Sequence, residues 1–269
     1  MNNIGLIAGR GQLPIMMAKA AREKGLQVIA AAHQGETDPA LADFALHTLW
    51  VKVGQLNKII DFLKSYQVCE AVMAGGLIKT DVFASFDPDA RALSLISRLP
   101  NLNDDTVLRA MADEFQSEGI EIRPATYFTP EILVAKGILT RRPPTTDEMT
   151  DIRLGWQVAK AVGALDVGQC VVVGHRTILA VEAVEGTDEA IRRGGRLGRG
   201  SSAVVKVCKP TQDLRFDLPS IGPNTITVMQ EVKATALAIE AEKTIIFDRE
   251  KTIAAADMAD LAIIALADE

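Results

Sequence analysis

The 269-residue chain has only three cysteines, Cys69, Cys170 and Cys208, widely spaced and without a CxxC pair. Neither a disulfide framework nor a structural zinc site is indicated, and a reducing cytoplasm fits. Aromatic residues make up 4% of the chain, so the core has to be aliphatic. An excess of positive charge is also lacking. The formal net charge is −6, which argues against a broad nucleic-acid surface, because such a surface needs clustered Lys and Arg to displace phosphate counterions. No window approaches the ~18 uninterrupted apolar residues of a membrane span. The first residues lack the basic start and longer apolar run of a signal peptide. Any meeting with a membrane is therefore expected from outside the bilayer.

What is present is an ordinary globular composition, 48% hydrophobic and 24% charged, in a chain long enough for two domains of about 100 to 200 residues. Ile4 to Ala8 is a short apolar run ending in Gly9-Arg10-Gly11, followed by Pro14, a helical stretch to Lys24, Gly25 and a second apolar run, Leu26 to Ala32. This reads as a βαβ unit with Pro in the first helical turn and Gly at the helix end. Gln55 to Tyr66 and Asp104 to Glu118 have helical spacing, the second capped by Asp104 or Asp105, and Ala71 to Ala74 is an apolar run ending at Gly75-Gly76. Strands alternating with helices predict a mostly parallel sheet. Thr140 to Thr146 contains Pro143-Pro144, which forbids helix.

The fold class expected is α/β. A Rossmann-like, mostly parallel domain over 1–131 is followed by a linker over 132–146 and a mixed α/β catalytic domain over 147–269. In the second domain a helix is expected from Asp147 to Val162, a hairpin around Gly174 to Thr177, helices near Thr225 to Glu242, a strand at Thr244 to Phe247 and a helix at Lys251 to Asp260.

Four segments carry possible chemistry. Gly9-x-Gly11-x-x-Pro14 stands at a strand-to-helix junction, where a glycine turn lets phosphate approach backbone N–H groups. Pro14 replaces the third glycine of a dinucleotide fingerprint. No convincing ribose-binding acid follows about 20 residues on, where the chain reads Ala30-Ala31-Ala32-His33. Glu182-x-x-Glu185-Gly186-Thr187-Asp188 places three carboxylates at a strand end, either as ligands for a hard cation or as a helix cap with surface acids. Ala190 to Gln212 carries Arg192, Arg193, Arg196, Arg199, Lys206 and Lys209 without one acid. It is either a mobile glycine-rich phosphate lid or a solvated basic stretch. Asp213 to Pro223 holds Asp217 in a stiff loop, able to bind metal or orient water, or merely to cap a helix or pair with Arg215. The three histidines share no ligand spacing, and no GxSxG or cysteine-nucleophile context is present.

Taken in order, Gly5-Leu6-Ile7-Ala8-Gly9-x-Gly11-x-Leu13-Pro14, Ala74-Gly75-Gly76, Asp104-Asp105, Ala180-Val181-Glu182-Ala183-x-Glu185-Gly186-Thr187-Asp188 and Asp217-Leu218-Pro219-x-Ile221-Gly222 resemble the LpxI family, the UDP-2,3-diacylglucosamine pyrophosphatases of lipid A synthesis. The resemblance spans nearly the whole chain. It implies an active site in the cleft between two domains and Mg²⁺- or Mn²⁺-dependent hydrolysis of a UDP-linked, doubly acylated glucosamine to UMP and the sugar 1-phosphate, lipid X. It implies Asp217 as the catalytic residue; the charge of a pyrophosphate then makes Asp217, Glu185 and Asp188 the candidate metal ligands. Gly9, Gly11, Gln12, Gly75, Gly76, Thr187, Lys206, Lys209 and Gln212 are the candidate substrate contacts. A cytoplasmic location peripheral to the inner membrane and a possible homodimer complete the expectation, with no nucleic-acid partner. Two rivals stay open: a nucleotide-dependent oxidoreductase, disfavoured by the broken fingerprint, and a non-catalytic nucleotide sensor.

Overall fold

The computed structural model describes residues 3–77, 86–102, 104–127, 129–210, 212–216 and 218–267, without the side chains of Asp104 and Asp105. The chain divides into two compact units: Met1–Pro130 with Asp213–Phe216, and Glu131–Gln212 with Asp217–Glu269.

The first unit is built on five parallel strands, β1 (Asn3–Ala8), β2 (Gln27–His33), β3 (His47–Val51), β4 (Glu70–Ala74) and β5 (Glu121–Arg123), in the order β3-β2-β1-β4-β5. Buried on both faces, the central strands read as continuous apolar runs rather than alternating ones. On one face Ile7, Ile29, Ala31, Ala71 and Met73 pack against helix α2 (Leu56–Ser65), helix α3 (Ala90–Ser97) and helix α4 (Asp104–Ser117), with Phe115 fully buried. Helix α1 (Leu13–Glu23) packs on β1, β2 and β4 through its small residues Ala18, Ala20 and Ala21. Leu95 of α3 belongs to this core while Leu93 is exposed. From the later part of the chain, Phe216 packs on the same core and Asp213 pairs with Arg215 and Arg109.

The second unit has a six-stranded mixed sheet made of β6 (Gly137–Ile138), β7 (Cys170–Gly174), β8 (Thr177–Val181), β9 (Ala203–Lys206), β11 (Ala236–Glu240) and β13 (Ala262–Leu266), in the order β6-β13-β11-β9-β7-β8. A separate parallel pair joins β10 (Ser220–Ile221) to β12 (Ile245–Ile246). Helix α5 (Thr146–Ala164) covers one face of the sheet through Ile152 and Ala159 against Val171, Val173, Val205 and Ala238. Helices α6 (Thr187–Gly198), α7 (Pro223–Glu231) and α8 (Arg249–Met258) cover the other, over Val172, Val204, Leu237 and Ile263. Alternate residues of β7, β9, β11 and β13 divide between the two cores, as the pleat requires. The hairpin between β7 and β8 turns at His175 and Arg176, with φ of 52° and 58°, the left-handed pair that a two-residue turn demands.

Three expectations change. The segment 132–146 is not a free linker, because β6 pairs antiparallel with β13 and the Ile263 N–H donates to Thr140 Oγ1 at 2.8 Å. Arg142 adds a bidentate pair with Glu148 at 2.8 and 3.0 Å, and Thr145 and Glu148 close a capping box at the start of α5. Of the helices expected near Thr225 to Glu242, the first ends at Glu231, Lys233 turns left-handed at φ 57°, and Ala236–Glu240 becomes β11, buried on both faces. The glycine-rich basic stretch is not a mobile loop. Gly194 and Gly195 lie inside α6, where an added Cβ would come within 2.5 Å of Val172 and 2.2 Å of Val232, so these glycines let the helix approach sheet and neighbouring helix.

Candidate functional site

In the first unit, β1 and β4 are neighbours whose connections run to opposite sides, the topological switch point at which open α/β sheets bind ligands beyond the carboxyl ends of their strands. The two glycine turns expected from the sequence meet there. The Gly9 N–H donates to Ala74 O at 2.8 Å, and Arg10 and Gly76 exchange backbone bonds of 2.7 and 3.2 Å. A Cβ on Gly9 would stand 2.4 Å from Gly76 O, and one on Gly75, itself at φ +85°, 2.4 Å from Arg10 O. Both positions therefore require glycine. Gly11, at φ +100°, borders open space, and Gln12 stands at the N-cap of α1, its O accepting from the Met16 N–H at 3.1 Å.

The turn after β2 is pinned to the same edge. Both Thr37 Oγ1–H, at 2.6 Å, and His33 Nδ1–H, at 2.9 Å, donate to Ala8 O, and the His33 N–H donates to Thr37 Oγ1 at 3.0 Å. Burial lowers the His33 pKa below its ordinary 6.5, outweighing the opposing effects of Ala8 O and Glu36. A lowered histidine leaves stability complete above the ordinary value. Stability is then lost as pH falls from there through the folded-state value, because only the unfolded chain takes up the proton readily. The melting temperature is expected to drop as pH falls below the ordinary histidine value in the native chain and to drop less in His33→Asn, which keeps a donor for Ala8 O. Parallel melting curves against pH would refute the assignment.

In the second unit, the ends of β8 and β9 carry the next set. Lys206, at the end of β9 and 9% exposed, donates from Nζ to Ser220 O at 2.8 Å, which ties β9 to the strap formed by β10. Glu182 follows β8 and accepts from Thr187 Oγ1 at 2.9 Å. Asp188, in the first turn of α6, accepts from Asn224 Nδ2 of α7 at 2.7 Å. Cys170 pairs in register with Lys206 on the adjacent strand. Burial, helped by the charge of Glu182, pushes its thiol up to about 12, so it is no nucleophile.

Lys209 Nζ reaches Asp166 at 2.8 Å, while its N–H donates to Gln212 Oε1 at 2.9 Å, closing a turn after β9. Glu185 Oε1 is taken by Arg193 Nη2, and Glu185 Oε2 accepts from the Ala183 N–H at 3.1 Å. A bond from its own backbone and the Arg193 guanidinium hold the Glu185 carboxyl below its ordinary value. Arg192 is engaged by Glu189 and Glu231. Asp217 lies outside the described residues.

The chain matches two family models along its length, LpxI N-terminal domain over residues 3–132 and LpxI C-terminal domain over 135–264. The chain belongs to the LpxI family. A curated relative, the UDP-2,3-diacylglucosamine pyrophosphatase LpxI of Caulobacter vibrioides, is 35% identical over 268 residues, covering 96% of this chain and 95% of that protein. Among solved structures, the biotin carboxylase subunit of a pyruvate carboxylase aligns at 15% identity and a TM-score of 0.29, covering 72% of this chain and 42% of that one. Phosphoribosylglycinamide synthetase from Anaerococcus prevotii aligns at 15% identity and a TM-score of 0.25, covering 68% and 39% respectively. Overlaps that loose carry no argument about the LpxI fold or its chemistry.

For the metal that the LpxI resemblance implies, the donor chemistry is divided. No three His, Cys, Asp or Glu side chains among the described residues could hold a metal ion together. Both oxygens of Glu185 are occupied within the protein, whereas Asp188 spends only Oδ2 on Asn224. Asp188 thus fits an ion such as Mg²⁺, which needs only one or two carboxylates beside water and substrate phosphate. No helix among the described residues of this LpxI chain is long and apolar enough to cross a membrane.

The sequence reading missed two acids. Glu36 escaped because it lies past the end of β2 in a turn rather than within the apolar run. Glu240 was hidden inside an expected helix. The Gly35 that lets the chain turn at φ +78° is the local signal that could have pointed to Glu36.

Proposed function

We propose that this chain hydrolyses the pyrophosphate bond of UDP-2,3-diacylglucosamine, releasing UMP and 2,3-diacylglucosamine 1-phosphate. The observation that carries the reading is its collinear match, through both domains, to the Caulobacter vibrioides pyrophosphatase. The geometry of each unit agrees with that chemistry. The paired glycine turns leading into α1 in the first unit suit an anionic nucleotide. In the second unit, Lys206 holds the strap that follows Asp217 and offers positive charge where a phosphate would need it.

Asp217 and Asp188 are the proposed holders of Mg²⁺ or Mn²⁺, with Glu185 serving as the ion-pair partner of Arg193. Such an ion, when bound, offsets negative charge developing on the phosphate oxygens. The protein's own part is to orient water and substrate, with Asp217 accepting the proton or fixing the geometry. The two acyl chains of the substrate bring the enzyme to the cytoplasmic face of the inner membrane as a peripheral visitor.

The test is incubation of purified protein with UDP-2,3-diacylglucosamine and Mg²⁺, with UMP followed by chromatography. UMP and lipid X should appear together, and a chelator should suppress both. Failure to release UMP with the metal present would remove the reading, whereas release that persists in chelator would remove only the metal.

A further inference from the structure

The turn after β2 holds a group that this chemistry leaves unused. Glu36 is 7% exposed, and its Oε2 accepts no hydrogen bond; Arg10 Nε lies 3.3 Å away, close enough for charge but outside hydrogen-bonding geometry. The other buried acids among the described residues are satisfied by the fold. Asp151 accepts from the Arg176 N–H, Glu182 from Thr187 and the Gln169 N–H, and Glu240 from two lysines and the Cys208 N–H. A carboxylate kept from water with an unfilled acceptor is costly, and native proteins rarely retain one without a use.

Its position supplies the use. The backbone of the turn is fixed by bonds from the Glu36 and Thr37 N–H groups to His33 O at 3.2 and 2.9 Å, and by the two donors on Ala8 O. The Arg10 neighbour of the carboxylate belongs to the glycine turn that pairs with Gly76. Glu36 thus stands at the carboxyl end of the strand beside β1, next to Arg10 of the glycine turn that leads into α1. When a nucleotide occupies such a crevice, its phosphates lie on the turn and helix N-terminus and its ribose reaches the end of the second strand, where an acid accepts from the hydroxyls.

We propose that Glu36 accepts hydrogen bonds from the 2′- and 3′-hydroxyls of the ribose in the uridine nucleotide, making the first unit selective for a ribonucleoside diphosphate. This deepens the pyrophosphatase reading and rests on it for the identity of the nucleotide. The half-exposed Arg10 side chain is the neighbour that the sugar displaces.

The test is calorimetric titration of the full-length protein with UDP, 2′-deoxy-UDP and 3′-deoxy-UDP. The native chain should bind UDP roughly 10- to 100-fold more tightly than at least one deoxy analogue, the range for losing a hydrogen bond to a charged group. Glu36→Ala should bind UDP and the analogues alike, and Glu36→Gln should fall between. The comparison of ligands on the native chain does not depend on how well a variant folds. Equal affinity of the native chain for all three nucleotides, or no UDP binding at all, overturns the proposal. Preserved discrimination in a folded Glu36→Ala chain overturns it as well. UMP release measured in parallel reports separately on the pyrophosphatase reading: ribose preference without turnover would leave Glu36 in place and remove the activity.

Discussion

Asp217→Asn is expected to lower the rate of UMP release by ~10²- to 10⁴-fold, the range for removing a positioned proton acceptor. Asparagine has nearly the same shape but carries neither the charge that holds a cation nor the basicity that takes a proton from water. The fold should survive the change, because the strap that follows is held by other groups. Lys206 Nζ grips Ser220 O at 2.8 Å, Ser220 and Ile221 pair with Ile245 and Ile246, and the Gly222 N–H donates to Thr225 Oγ1. The measurement is kcat and KM at saturating Mg²⁺, with a thermal melt on the same preparation. Turnover near the native rate would end the catalytic assignment. A rise in KM alone would shift Asp217 from chemistry to binding.

The largest expected loss of stability comes from a residue outside the proposed chemistry. Glu240→Ala should destabilise the second unit by about 3–5 kcal/mol, as expected when one partner is removed from a buried ion pair. The Glu240 side chain is 1% exposed at the end of β11. Both of its oxygens lie 2.8 Å from Lys160 Nζ, Lys243 Nζ lies 2.7 Å from one of them, and the Cys208 N–H donates to the other at 2.8 Å. Deleting the carboxylate takes the counter-charge from Lys160, whose side chain is only 19% exposed, and the acceptor from the Cys208 N–H. Because a domain is stable by only about 5–15 kcal/mol, the variant should unfold at markedly lower urea. Adding Lys160→Met should recover part of the loss by removing a largely buried charge that has lost its carboxylate. A shift of under about 1 kcal/mol in Glu240→Ala would show that water reaches the site and that the pair counts for little.

The parts of this protein that could be read from the sequence are those that depend on neighbours in the chain. The strand, glycine turn and proline-led helix at the start are local signals, and the structure has them as β1, the Gly9–Gln12 turn and α1. The hairpin at His175–Arg176 and the helix after Pro143-Pro144 are likewise local. The order of the motifs, from Gly9 to Asp217, was enough to point to the family, because order along a chain is itself a sequence property.

What the sequence obscured depends on partners far away in the chain. Ala236–Glu240 resembles helix because a strand covered on both faces has no alternation to show, and only its place between β9 and β13 makes it a strand. Gly194 and Gly195 read as loop because glycine usually marks one; the closeness of Val172 and Val232, decided by packing, turns them into the contact face of a helix. The acids behave in the same way. Glu182, Glu185, Asp188, Glu36 and Glu240 are alike as letters, and the sequence determined only that carboxylates stand near strand ends. Tertiary structure gave Glu185 to Arg193 and Glu240 to its lysines, and left Glu36 buried beside the glycine turn with an oxygen unfilled. The role of a charge is set by which groups have replaced its water, and those groups come together only when the chain has folded.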